Sequence, residues 1–228
     1  MDWNTLLFVI FPYVALAVAI VVTVYRSIVR PFSISSLSSQ LLERRWLFWG
    51  SIPFHWGITI ILTFHLIAIF IPQSIVLWNA QPLRLYALEF SGLGLGLWAT
   101  FGMIVLLFRR VSVARIRAVS TPMDYVVLLL VLVSLVTGVT IASYYRWGSY
   151  WFTGIFTPYI IGLLTFHPNA TSLAPLPLLI KAHVLNFFLL TLAFSFSRLV
   201  HIITWPVAYL MRPWQIVVAL RRPRAFER

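Results

Sequence analysis

The 228-residue sequence contains no cysteine. That excludes disulfides, thiolate zinc sites, cysteine-ligated iron–sulfur clusters and covalent c-type haem attachment within the chain. It says nothing of redox compartment, because there is no thiol to respond to one. Acidic residues are scarce: 5 aspartates and glutamates stand against 17 lysines and arginines, a net charge of +12. Charged residues of both signs make up only 10% of the chain, whereas a soluble surface needs roughly a quarter or more. A soluble domain is therefore excluded. The basic excess, which in a soluble protein would suggest a nucleic-acid partner, has to be read along the chain first. Internal repeats are also lacking, and the one biased tract is SISSLSS at 33–39. What remains is apolar: 61% of residues are hydrophobic and 16% aromatic.

A bilayer-crossing helix needs about 20 mostly apolar residues. Five charge-poor runs meet that length, at 3–25, 46–71, 85–108, 125–145 and 176–205. The first lacks the basic leader and small-residue cleavage site of a signal peptide, so it is read as a span. The expected fold is all-α, a single integral membrane bundle of five transmembrane helices with a tail at 206–228. The connections are short except 147–175, whose aromatic, proline, glycine and hydroxyl residues predict a segment lying along the membrane surface. Arginines fill the connection from Arg26 to Arg45, the connection from Arg109 to Arg117, and the stretch from Arg198 onward. Only Arg84, Arg146 and Lys181 fall on the other side. By the positive-inside rule the N-terminus is outside and the C-terminus cytoplasmic, and five spans have the parity this requires. The net charge thus orients the chain in a membrane, with no nucleic acid implied.

Four of the five histidines lie inside spans: His55 and His65 in the second, His183 and His201 in the fifth. Ionisable groups at membrane depth are costly and carry a functional reading by default. His183 and His201 are 18 residues apart, five whole helical turns, so they share a face roughly 27 Å apart along the axis. His55 and His65 are ten apart, about 15 Å along theirs and about 80° different in bearing, so a twist or kink is needed to align them. With the two helices antiparallel, depth pairs His55 with His201 near the cytoplasmic side and His65 with His183 nearer the outside. Two facing imidazoles at each of two depths suit two b-type haems, each gripped by a neutral imidazole on either face. Zinc or copper fits less well, since two ligands per depth leave coordination unfilled and no carboxylate or thiolate is near.

Other residues carry weaker signals. His167, in the outer connection, reads as a surface histidine. Gly57, Gly92, Gly94, Gly96 and Gly102 give room to a porphyrin or let helices approach closely. SGLGLG at 91–96 lacks the spacing of a nucleotide-binding loop and sits inside a span. Arg198, three residues before His201, could pair with a haem propionate or snorkel to headgroups. Arg84, at the outer end of the third span, could bond a quinone oxygen. Glu89, the acidic residue well inside a span, is expected in a polar or wet pocket. Asn169-Ala170-Thr171 fits a glycosylation sequon, a pattern short enough to arise by chance.

The stretches SSQLLERRWLFWGSIPFHWGI, LTFHLIAIFIP, RIRAVSTPMDY and FSFSRLVHIITWPVAYLMRPWQIV, with FPY near the N-terminus, resemble the gamma subunit of respiratory nitrate reductase essentially end to end. The resemblance implies a di-haem cytochrome b of the prokaryotic inner membrane that oxidises quinol, typically menaquinol, near the outer haem. Electrons would pass through the inner haem to a cytoplasmic iron–sulfur beta subunit and a molybdenum-containing alpha subunit, the clusters belonging to the partners. It implies the same ligand pairs, and a quinol-site lysine at the outer end of the third span, where this chain has Arg84. The arginine-rich cytoplasmic connections and tail would face the partner subunits and lipid, with an outer cytochrome c as a further candidate partner. Two other readings compete. Membrane anchors of sulfite-reductase and heterodisulfide-reductase complexes share the di-haem core, and a proton-coupled transporter could use histidines as a relay. The latter normally needs carboxylates or an inverted repeat within its spans.

Overall fold

A computed structural model of the chain describes residues 3–29, 42–169, 171–200 and 202, all helix and connection with no strand among them. Four helices are long and apolar enough to cross a bilayer: α1 (Trp3–Val29), α2 (Arg45–Phe70), α4 (Pro82–Ser112) and α6 (Pro122–Tyr144). They match the first four expected spans to within a few residues. Short helices α3 (Pro72–Asn79) and α5 (Ala114–Ala118) bridge successive long ones. Prolines at the first turn of α3, α4 and α6 sit where a missing N–H costs nothing.

The fifth expected span is shorter among the described residues. Helix α9 (Leu178–Phe194) is apolar but only 17 residues long. It is followed by a turn at 195–197 and a 3₁₀ turn, Arg198–Val200. The reason is local: the Ser195 and Ser197 hydroxyls bond back to the Leu192 and Phe194 carbonyls, competing with the helix ladder. The Arg26 guanidinium at the end of α1 then takes the carbonyls of Ser195 and Ser197.

The connection after α6 has more structure than its composition predicted: it forms a nearly continuous helical segment packed against the bundle. This consists of α7 (Gly148–Trp151), a π-helical turn (Phe152–Phe156) and α8 (Thr157–Leu164). Tyr159 is 1% exposed and joins Phe8, Ala15, Val184 and Phe188 in one core cluster. Its hydroxyl donates to the Phe8 carbonyl at 2.8 Å. That carbonyl needs a partner because Pro12, four residues on, has no N–H to give it; α1 widens into a π turn at Leu6–Ile10 just there. Pro158 follows the second π turn in the same way.

Among the long helices, α2 packs on α4, α4 on α6, α6 on α9, and α9 returns to α1. The α2–α4 seam is closest, because small residues line it. A methyl group added to Gly102 would stand 2.6 Å from both the Gly50 carbonyl and the Phe54 nitrogen, and one on Gly57 would strike Ala99 and the Leu95 carbonyl at 2.8 Å. Helices α2 and α9 share no such seam. Large apolar side chains along the outer faces are exposed, as a bilayer requires.

Ion pairs gather at one end of the bundle. Arg109, 3% exposed at the end of α4, bonds Glu43 just before α2 at 2.7 Å. Asp124 closes a capping box with Thr121 at the start of α6. It also receives Arg110 at 3.0 Å and Arg198 at 3.5 Å. The ends of α1, α4 and α9 and the starts of α2 and α6 therefore lie together, the up-and-down order that the arginine distribution anticipated.

Candidate functional site

His65 lies on α2 and His183 on α9, two helices that share no extensive seam among the described residues. His65 is exposed in the folded chain. Its Nδ1 bonds the Ile61 carbonyl at 2.8 Å, one turn back on α2. A carbonyl only accepts, so Nδ1 carries the proton and Nε2 keeps its lone pair. The Phe152 ring stands edge-on to the imidazole, centroids 5.1 Å apart.

His183 reaches the same state by another route. Its Nδ1 lies 2.8 Å from Thr137 Oγ1 on α6. The Thr137 hydroxyl proton is directed to the Val133 carbonyl at 2.6 Å, so Oγ1 accepts from His183 Nδ1–H. The neighbouring residue is Gly138, where a methyl would come within 3.3 Å of His183 Cε1. Glycine there lets the imidazole lie against α6. His55 repeats the pattern of His65: its Nδ1 bonds the Ser51 carbonyl at 2.8 Å and lies 3.0 Å from Ser51 Oγ. His201 lies outside the described residues.

The three described histidines within the expected spans thus share one chemistry. Each has Nδ1 tied and Nε2 presented as a neutral donor, the state in which imidazole binds a metal, with the tied nitrogen fixing tautomer and ring orientation. Among the described residues no group of three or more His, Cys, Asp or Glu comes together to hold a metal ion. A macrocycle that brings four nitrogens of its own needs only two protein ligands. The donor set fits a haem held between α2 and α9.

The weaker candidates fall as follows. Arg198 reaches Asp124, so a propionate contact would be shared with that carboxylate. Arg84 is exposed, its guanidinium 5.4 Å over the Trp78 ring, and Trp78 Nε1 donates to the Arg84 carbonyl. Gly57 and Gly102 serve helix approach, Gly96 abuts Val139, and Gly92 and Gly94 meet nothing within 4 Å. His167 is exposed, as expected, its ring on the Thr165 carbonyl. Glu89 accepts from the backbone and hydroxyl of Ser149 and the backbone of Gly148. Sequence reasoning missed Thr137, Gly138 and Phe152, which come to the histidines from distant helices. Ser51 could have been found, since i and i−4 adjoin on any helix.

The model of the family described as "Nitrate reductase gamma subunit" matches residues 4–220. The chain is 32% identical over 211 residues to the nitrate reductase gamma chain of Bacillus subtilis, covering 91% of this chain and 94% of that one. It is 29% identical over 222 residues to the respiratory nitrate reductase 1 gamma chain of Escherichia coli, covering 95% and 97%. A nitrate reductase-like protein of Mycobacterium tuberculosis, NarX, is 28% identical over 237 residues, which span 96% of this chain but 35% of that protein.

Proposed function

Because the chain belongs to the nitrate reductase gamma subunit family, we propose that it is the quinol-oxidising di-haem cytochrome b of a membrane nitrate reductase. In this reading it spans the inner membrane five times, N-terminus outside, and His55 with His201 and His65 with His183 would hold an inner and an outer b-type haem. The observation that carries it is the shared state of the described histidines. Three imidazoles on two helices of an apolar bundle, His55 and His65 on α2 and His183 on α9, each have Nδ1 hydrogen-bonded and Nε2 available.

When bound, haem iron supplies reversible one-electron carriage across the low-dielectric interior. The protein's part is to hold the ligands. Ile61, Ser51 and Thr137 fix three imidazole tautomers, Gly138 makes room for one ring, and Phe152 lies against another. Apolar side chains around them exclude water. Arg198 and Asp124 supply charge beside the inner site, where Arg198 would share a propionate, and Arg84 at the opposite end would bond a quinol oxygen. Menaquinol is the expected donor, its protons leaving outside while electrons pass inward, so turnover charges the membrane. The electrons would reach an iron–sulfur beta subunit and a molybdenum alpha subunit, docked on the exposed arginines Arg44, Arg45, Arg115 and Arg117 and on the C-terminal tail.

A dithionite-reduced-minus-oxidised spectrum of the purified chain tests this. About two b-type haems per chain are expected, four ligands at two each. His183→Ala should remove the outer haem alone. A colourless chain refutes the proposal, and loss of the inner haem instead refutes the pairing.

A further inference from the structure

We propose that Glu89 is the proton acceptor for quinol oxidation at the outer end of the bundle; this rests on the quinol-oxidising reading above. The chain has 5 acidic residues. Of the three in the described segments, Glu43 and Asp124 are held in arginine ion pairs at the cytoplasmic end. Glu89 has no ion-pair partner among the described residues. It lies at the opposite end, the end at which quinol would have to give up its protons. Seven residues into α4 it is about 10 Å below the start of that helix, and His65, five residues before the end of α2, is about 8 Å below the same surface. The two helices adjoin, so carboxylate and imidazole share a depth.

The surroundings join them. Glu89 Oε1 accepts from Ser149 Oγ at 2.6 Å and Ser149 N at 2.9 Å, and Oε2 from Gly148 N at 3.3 Å. Phe152, the residue standing against His65, follows Ser149 by one helical turn. Asn79, 3% exposed, donates through Nδ2 to Ser149 Oγ at 2.9 Å, and Tyr150 Oη donates to the Asn79 carbonyl. Asn79 Oδ1 and Trp151 Nε1 are buried polar atoms without a hydrogen-bond partner among the described residues. A polar cluster at this depth is costly to retain unless it is used. The described lysine, arginines and histidines at this end do not compete for the task. Arg84 and Arg146 are exposed cations, Lys181 is a cation bonded to the Ala174 carbonyl, His167 is exposed, and His65 and His183 have Nδ1 committed.

The chemistry balances simply. Oxidation of one quinol to quinone breaks two O–H bonds and yields two electrons and two protons. The electrons leave inward by the route already proposed. Each proton in turn passes to Glu89, directly or through the Ser149 hydroxyl, and from Glu89 to outer water before the next arrives.

Glu89→Gln separates this role from a purely structural one, because the amide oxygen still accepts from Ser149 but cannot take a proton. In membranes carrying the complete complex, with reduced menadione as donor and nitrate as acceptor, Glu89→Gln should lower kcat about 100-fold or more. Both haems should remain in its dithionite spectrum, and Glu89→Asp should restore much of the rate. Redox-difference infrared spectra should contain a protonated-carboxyl band that Glu89→Gln abolishes. Turnover by Glu89→Gln within about twofold of the parent, or a carboxyl band that persists in it, overturns the assignment. Loss of a haem in Glu89→Gln together with failure of Glu89→Asp to restore the rate also overturns it, leaving Glu89 a clasp between α4 and α7. A parent complex that does not oxidise the naphthoquinol refutes the quinol reading itself.

Discussion

Replacing Gly102 with alanine tests whether the α2–α4 seam sets the position of His55. The added methyl would lie 2.6 Å from the Gly50 carbonyl oxygen and 2.6 Å from the Phe54 nitrogen. Ordinary contact begins near 3.4 Å, so the helices must part by roughly 0.8 Å, and both obstacles are backbone that no rotamer change can move. Overpacking of this kind costs about 1–3 kcal/mol. Alanine returns at most about 1 kcal/mol of that through its better helix propensity. The net loss should lower the unfolding midpoint in detergent by several degrees, at about 2–4 °C per kcal/mol for a chain of this size. Because Phe54 precedes His55, the displacement should fall on the inner haem, seen as a shifted or lost band while the outer haem remains. Gly92→Ala on the same helix is the control: nothing lies within 4 Å of its added methyl, and it should match the parent or exceed it slightly. Equal behaviour of the two variants would refute the argument that the glycines of this seam are there for backbone approach.

Two further outcomes follow from the same structure. Thr137→Val removes the acceptor of His183 Nδ1–H, makes the imidazole a poorer donor to ferric iron, and should raise the midpoint potential of one haem only, with Thr137→Ser close to the parent; a redox titration in which neither haem moves counts against this contact. Burial works to raise the Glu43 pKa, but the Arg109 bond and the amides of Trp46 and Leu47 outweigh it and hold the carboxyl below its ordinary range. The stability this contributes is therefore present at neutral pH and lost as pH falls below about 4. Thermal melts of the parent and Glu43→Gln should differ at pH 7 and converge in acid, and a gap that widens in acid would reverse the sign.

The spans were legible because a bilayer imposes length and hydropathy on each helix separately, so a run such as YVVLLLVLVSLVTGVTIASYY reveals itself without knowledge of its neighbours. The histidines stood out for a related reason: an ionisable group is conspicuous in an apolar run. The fold-back of residues 148–164 was not legible. Its aromatic and threonine content suits a membrane interface as well as a buried wedge, and the choice is made by tertiary bonds such as Thr157 to the Ala68 carbonyl and Tyr159 to the Phe8 carbonyl. Thr137 and Gly138 were hidden likewise, since nothing within α6 records that a histidine 46 residues away will rest on it.

The arginines carry two kinds of information that the sequence superimposes. Counting them gives an expected orientation, for which every arginine at the basic end is equivalent. In the folded chain they divide. Arg26, Arg109, Arg110 and Arg198 are turned inward on carbonyls and on the carboxylates of Glu43 and Asp124, tying the ends of α1, α4 and α9 to the starts of α2 and α6. Arg44, Arg45, Arg115 and Arg117 stay exposed. The first group holds at fixed spacing the helices that carry the histidines. The second is what remains for phosphate headgroups or an acidic subunit surface. Two acidic residues thus hold three of the four structural arginines, Arg26 being held by carbonyls, and that explains why a chain with so few carboxylates keeps two of them at its most basic end.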